Sequence, residues 1–288
     1  MNEQVSLCFK ITNWCNLCCD HCCELSGPNA PRELMPLDRM DKLLTEFKQI
    51  ETPRASDFFV IGGGEAMAPY FFKDKLYIPR ALDMIYQADG IPTIKTNATW
   101  GRYESLCKPI LKDLATVATK HQIVTTLDIS IDEFHDNLGA TTNIIETLMK
   151  NKGIAEAVRI FLVGFDTNAS RWQLFKLCKQ LNERGIKTIS HFGINDDFFV
   201  QYKGITMQIF GSFNTPIYKM GRAAETQVFT AEEPTGLPSI EGLTLTHCMT
   251  VDNTDLATLN YKYQETINGR PLNDVFQSLL TKVYNPGR

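Results

Sequence analysis

Strand and helix signals alternate six times along this 288-residue chain, and a sequence built that way has few arrangements that bury every apolar face. Strand-like runs are read at 5–12, 57–61, 91–97, 123–131, 157–165 and 186–194. Helical periodicity fills the intervals 37–50, 77–88, 103–121, 141–152 and 170–184; in the first, Leu37, Met40, Leu43, Leu44, Phe47 and Ile50 share one face. Such a series predicts an α/β fold with a parallel sheet wrapped by helices. Right-handed crossovers predict that the sheet curls into a barrel or partial barrel, with ligands at the C-terminal ends of the strands.

The run 123–131 separates its faces most cleanly. Ile123, Thr125, Leu127, Ile129 and Ile131 fall on one side; Val124, Thr126, Asp128, Ser130 and Asp132 fall on the other. Barrel strands normally bury apolar residues on both sides, so the polar face lines a ligand-filled interior, or else it is an exposed edge. Lys95 and Asn97 share a face in the same way. Lys10, Thr12, Arg159 and His191 either point inward or are satisfied by neighbours. His135 lies just past a strand end and is a candidate for a substrate-side role.

Three cysteines at C-x3-C-x2-C, Cys15, Cys19 and Cys22, follow the first strand. A loop of this kind can fold its thiolates around an iron–sulfur cluster and leave one iron for another ligand, since such clusters are normally held by four thiolates. Cys18 and Cys23 also permit C-x2-C-x3-C and C-x3-C-x3-C, so a zinc knuckle using His21 is an alternative. Cys8, Cys107, Cys178 and Cys248 stand singly.

A hydrophobic content of 43% gives enough apolar material for one large domain or a barrel with a modest appendage. The net charge of −4, without a Lys/Arg run, offers no electrostatic footprint for nucleic acid or an anionic membrane. No basic start, apolar signal core or long apolar span is read, and nine cysteines suit a reducing compartment, so a soluble cytoplasmic protein is expected.

The stretch Cys15-Asn16-Leu17-Cys18-Cys19-Asp20-His21-Cys22 resembles the signature of the radical S-adenosylmethionine enzymes, which commonly carries an aromatic residue where His21 stands. The resemblance implies a partial (β/α)6 barrel in which Cys15, Cys19 and Cys22 hold one 4Fe–4S cluster whose open iron chelates S-adenosylmethionine. Gly62-Gly63-Gly64-Glu65 resembles the family's Gly-Gly-Glu motif, with Ala66 in place of the usual proline. It implies that Gly63, Gly64 and Glu65 hold the methionine amino group. Thr96-Asn97 resembles the family's Thr-Asn turn, with Ala98 where glycine is common. Asn97, Ser130, Asp132 and His21 are then cofactor-binding residues.

Beyond residue 204 the pattern breaks into Gly-, Pro- and Thr-rich stretches, so 1–204 is expected to form the barrel core and 205–288 a short C-terminal cap. Met220-Gly221-Arg222-Ala223 resembles a Gly-Arg-Ala turn of the peptide-modifying branch, whose extensions (SPASM or twitch type) often carry auxiliary clusters. Only Cys248 stands in this extension, which implies a cap without auxiliary ligands. Cys19-Asp20-His21-Cys22-Cys23 also resembles enzymes that modify ribosomally made peptides, epimerases included. Cys248 is either a hydrogen-atom donor for such chemistry or a small buried hydrophobe.

The function implied is reductive cleavage of S-adenosylmethionine to a 5′-deoxyadenosyl radical, with an electron from a flavodoxin- or ferredoxin-like donor. The radical takes hydrogen from a peptide, leading to epimerisation or cross-linking, or from a small metabolite. The alternative is a non-catalytic zinc or iron–sulfur module.

Overall fold

Strand β1 (Asn2–Thr12) leads into the cysteine loop and then α1 (Leu37–Phe47); β2 (Arg54–Gly63) follows, with α2 (Ala68–Phe71) and α3 (Tyr77–Gln87) behind it. The alternation continues through β3 (Pro92–Thr96), α4 (Glu104–His121), β4 (Thr125–Ser130), α5 (Leu138–Met149), α6 (Lys152–Ala155), β5 (Val158–Phe165) and α7 (Asn168–Glu183). Next come β6 (Lys187–Ser190), β7 (Phe198–Tyr202), β8 (Ile205–Thr215), α8 (Gly221–Thr226), β9 (Leu237–Pro238), β10 (Thr244–Asp252), β11 (Leu256–Leu259), β12 (Tyr263–Thr266) and α9 (Leu272–Tyr284). This computed structural model describes residues 2–50, 54–190, 196–215, 221–228, 237–238, 244–259 and 263–284.

The fold is α/β with a mostly parallel sheet. Strands β1 to β5 are neighbours in chain order, and β8 takes the sixth parallel place beside β5. Strand order that never reverses, combined with right-handed crossovers, sends every connecting helix to the same face. The helices accordingly form one layer in which α9, α1, α3, α4, α5 and α7 touch in turn.

Beneath that layer an unbroken row crosses the sheet from Phe9 through Ile61, Ile94, Leu127 and Ile160 to Ile209. Every one of them is fully buried. The opposite face is different in kind: Lys95 pairs with Asp128, Asp128 with Phe161, and Phe161 with Phe210. Lys95 and Arg159 are exposed there and Asp128 is half-buried. The rings of Phe161 and Phe210 stack at 6.4 Å, with the Arg159 guanidinium 5.3 Å from the Phe210 ring. Burial raises the Asp128 carboxyl to about 6, against the pull of Lys95. The polar face read from the sequence is thus the face away from the helices.

One expectation is corrected. The run 186–194 does not supply the sixth parallel strand: β6 is an edge strand antiparallel to β7, and 191–194 lie outside the described residues. The place beside β5 goes to β8 because β7 turns back through Lys203 (φ 46°) and Gly204 (φ 82°), a two-residue hairpin with both residues left-handed. Residue 204 thus lies in the turn of a hairpin, and among the described residues beyond it β10 pairs in parallel with β1, β11 and β12 extend that edge, and α9 packs on α1.

Candidate functional site

At the C-terminal end of β1 the chain leaves the sheet at Thr12 and returns at Met35, whose N–H donates to the Ile11 carbonyl (2.8 Å). The loop between them is pinched where Cys15 N–H donates to the Gly27 carbonyl (3.2 Å), and tightened where Cys22 N–H donates to the Cys19 carbonyl (3.1 Å). Exposure divides the five thiols: Cys15 is buried, Cys19 and Cys22 are half-buried, and Cys18 and Cys23 are exposed. Burial, with the Glu65 carboxylate near it, pushes the Cys15 thiol up to about 12. Its sulfur accepts from Leu17 N–H (3.4 Å) and from Asn97 Nδ2 (3.5 Å).

The glycine turn after β2 is locked onto this loop. Gly64 N–H donates to the Thr12 carbonyl (2.8 Å) and Glu65 N–H to the Trp14 carbonyl (2.9 Å). Gly63 stands at φ 107°, and a Cβ on Gly64 would lie 2.1 Å from the Trp14 oxygen. Only glycine permits this approach. Glu65 is wholly buried, and its carboxylate accepts from Met67 N–H (2.8 Å), Thr96 Oγ1 (2.6 Å) and Asn97 N–H (2.9 Å). Burial outweighs these donors and holds its pKa above the ordinary value. This carboxylate ties the end of β2 to the end of β3.

Asn97 belongs to the same knot. Its Nδ2 donates to Cys15 Sγ and to Asn16 Oδ1 (3.0 Å), while its Oδ1 accepts from Thr99 N–H (3.0 Å) and Thr99 Oγ1 (2.7 Å). Ala98 stands at φ 60°, the left-handed conformation that makes glycine common at such a turn. Asn137 fastens two strand ends, donating from Nδ2 to the carbonyls of Asn97 (2.6 Å) and Ser130 (2.6 Å). The Ser130 side chain is half-buried on the face away from the helices.

Beyond β4, Asp132 turns its carboxylate back into its own loop. Its Oδ1 accepts from Phe134 N–H (2.9 Å) and His135 N–H (3.1 Å), and both oxygens lie 2.9 Å from His135 Nδ1. Burial alone would lower the pKa of His135, but its hydrogen bonds to Asp132 and Cys19 raise it to about 10. Burial opposes ionisation of Asp132 too, and its bond to His135 still brings that carboxyl below the ordinary value. His135 is therefore an imidazolium, 10% exposed, pointed at the cysteine loop. His21 packs against Phe134 (4.6 Å), Phe165 (4.8 Å) and His135 (5.0 Å). Burial and the His135 charge lower its pKa to about 4, so its ring is neutral.

Two residues without an assigned role in the sequence also reach this loop. Arg222 donates from Nη1 to the Cys19 carbonyl (2.8 Å) and from Nη2 to the Ser26 carbonyl (2.8 Å), and its N–H donates to the Cys22 carbonyl (2.8 Å). Thr226 Oγ1 donates to the Asp20 carbonyl (2.8 Å). The Gly-Arg-Ala string marked the place; the long-range contact had no local signal. Cys248 is not brought to the loop. It pairs with Ser6, six positions before Thr12 on β1, which is roughly 20 Å along a strand rising about 3.3 Å per residue. Its side chain, like His191, lies outside what is described. Lys10 is ion-paired with Glu24 of the loop.

Among the described residues the only three metal-competent side chains with ligand atoms within 4.8 Å of one another are His21, Asp132 and His135. A single zinc bound by three thiolates needs sulfurs roughly 4 Å apart, from Zn–S bonds of about 2.3 Å. Cys15, Cys19 and Cys22 stand farther apart than that as a set.

No protein-family model matches the chain. No curated protein matches it. Among solved structures it is similar to native anSMEcpe with bound AdoMet and Cp18Cys peptide, with a TM-score of 0.40 and 16% identity over 64% of this chain and 48% of that one. It is similar also to native anSMEcpe with bound AdoMet (TM-score 0.41, 16% identity, 64% and 50% covered) and with bound AdoMet and Kp18Cys peptide (0.41, 18%, 64% and 49%). The matched region spans about half the length of those chains.

Proposed function

We propose that this chain is a radical S-adenosylmethionine enzyme acting on a ribosomally made peptide, by epimerisation or cross-linking. One observation carries the reading: three motifs far apart in sequence meet at one strand end. The glycine turn donates into Thr12 and Trp14, and Asn97 donates to Cys15 Sγ. In this reading Cys15, Cys19 and Cys22 hold a 4Fe–4S cluster, which, once bound, supplies the electron that cleaves the sulfonium of S-adenosylmethionine. The Glu65 carboxylate, occupied by Thr96, Met67 and Asn97, keeps the turn rigid and leaves the amino end of the ligand to the Gly63-Gly64 backbone. Ser130 stands at the neighbouring strand end, where it orients the carboxylate or ribose, and Asn97, its side chain engaged by Cys15, Asn16 and Thr99, fixes the cysteine loop against the end of β3. Asp132 and His135 hold a fixed cation beside Cys19. His21, neutral and packed among aromatic rings, gives the loop an apolar wall that excludes water. The peptide lies over the face carrying Lys95, Asp128, Phe161 and Phe210.

Anaerobic reconstitution tests this. The protein should turn brown, bleach with dithionite and release 5′-deoxyadenosine from S-adenosylmethionine. Cys19→Ala should abolish release, and Cys18→Ala and Cys23→Ala should preserve it; an essential Cys18 with a dispensable Cys19 would overturn the ligand assignment. The grouping of His21, Asp132 and His135 favours a second reading, a non-catalytic metal module. A colourless protein that holds stoichiometric zinc and loses it on His21→Ala would establish that one instead.

A further inference from the structure

We propose that Arg222 is the positioning residue of the cysteine loop, reaching back from α8 to set the peptide planes that carry Cys19 and Cys22. Its consequence for a cluster rests on the reading above; its effect on the loop does not. Among the described residues, 16–26 supply one backbone hydrogen bond of their own, Cys22 N–H to the Cys19 carbonyl. Further restraint comes from α8: Arg222 reaches the carbonyls of Cys19, Ser26 and Cys22, and Thr226 reaches that of Asp20.

The geometry uses what distinguishes arginine. A planar guanidinium presents several donors at fixed angles, so one side chain holds two carbonyls at once; a lysine ammonium is a point charge on a flexible stem. The segment that follows the sheet thus completes the site at its beginning.

The test begins with metal-free protein. Iodoacetamide alkylation of Cys19 and Cys22, mapped by mass spectrometry, is compared with that of buried Cys107 as an internal reference. Arg222→Ala and Arg222→Lys should accelerate Cys19 roughly tenfold, the factor expected when charge-assisted hydrogen bonds are lost, accelerate Cys22 less, since its carbonyl is held by the main-chain N–H of residue 222, and leave Cys107 unchanged. Methylguanidinium should partly reverse the effect in Arg222→Ala. In reconstituted protein both variants should retain less iron and show altered electron paramagnetic resonance on adding S-adenosylmethionine.

Unchanged alkylation in both variants would overturn the proposal. Should Arg222→Ala fail to fold by circular dichroism, Arg222→Lys decides. If the wild type takes up no iron, the cluster reading falls while the alkylation result still decides the clamp.

Discussion

Replacing Gly64 by alanine puts the contact between the glycine turn and the cysteine loop to a direct test. The added Cβ would stand 2.1 Å from the Trp14 oxygen, 2.6 Å from its carbonyl carbon and 3.0 Å from the Asn13 carbonyl carbon. These are backbone atoms and cannot swing aside. Widening the closest contact from 2.1 to 3.0 Å parts the segments by about 0.9 Å. The hydrogen bonds from Gly64 to Thr12 (2.8 Å) and from Glu65 to Trp14 (2.9 Å) would then be stretched beyond useful length. Overpacking costs about 1–3 kcal/mol, and each lost hydrogen bond about 1 kcal/mol. The loss of about 3–5 kcal/mol should lower the melting temperature by roughly 5–8 °C for a chain of this size.

Thermal unfolding followed by circular dichroism measures this on metal-free protein. Gly139→Ala is the control: nothing lies within 4 Å of its Cβ position and it sits exposed in α5, where alanine should stabilise by about 0.5–1 kcal/mol. If Gly64→Ala melts with the wild type, the turn and the loop do not touch as described and the site loses its frame.

Glu65→Gln should change how stability depends on pH. Burial holds the Glu65 carboxyl above its ordinary value, so its contribution is full below the ordinary carboxylate range and is lost as pH rises through the folded value. The stability of the wild type relative to Glu65→Gln should therefore fall as pH rises above the ordinary carboxylate range, as read from urea titrations; a flat or rising difference contradicts the assignment. Leu127→Ala, in the middle of the buried row between Ile94 and Ile160, should cost about 2–5 kcal/mol, seen as a lower urea midpoint. A loss under about 1 kcal/mol would mean that the row is not packed as found.

Local pattern carried most of the parallel sheet. The alternation that put Thr125, Leu127 and Ile129 on one face of β4 is the alternation of burial observed there, because side-chain period in a strand is a property of the backbone alone. Partnership is not. Lys187–Ser190 reads as a strand in any pairing, and only distant residues decide that it lies antiparallel at an edge. Lys203-Gly204 had a readable signal, a glycine between two apolar runs, which marks a hairpin as readily as a boundary. For the site, the motifs named residues that the fold brings together, but not their hydrogen-bond partners. Glu65 and Asp132 carry carboxylates that invite a ligand, and both are occupied by donors of their own fold, since a buried charge without partners is costly. Arg222 could not be assigned because its partners lie some two hundred positions earlier.

Strand β1 is hydrogen-bonded on both sides, to β2 on one and to β10 on the other. A ribosome emits the five thiols of its loop some two hundred residues ahead of Thr244–Asp252, so the loop is made well before the strand that completes the pairing of β1. Closing so long a span is entropically slow. The frame from which the cysteine loop springs is therefore complete only when β10 has docked beside β1.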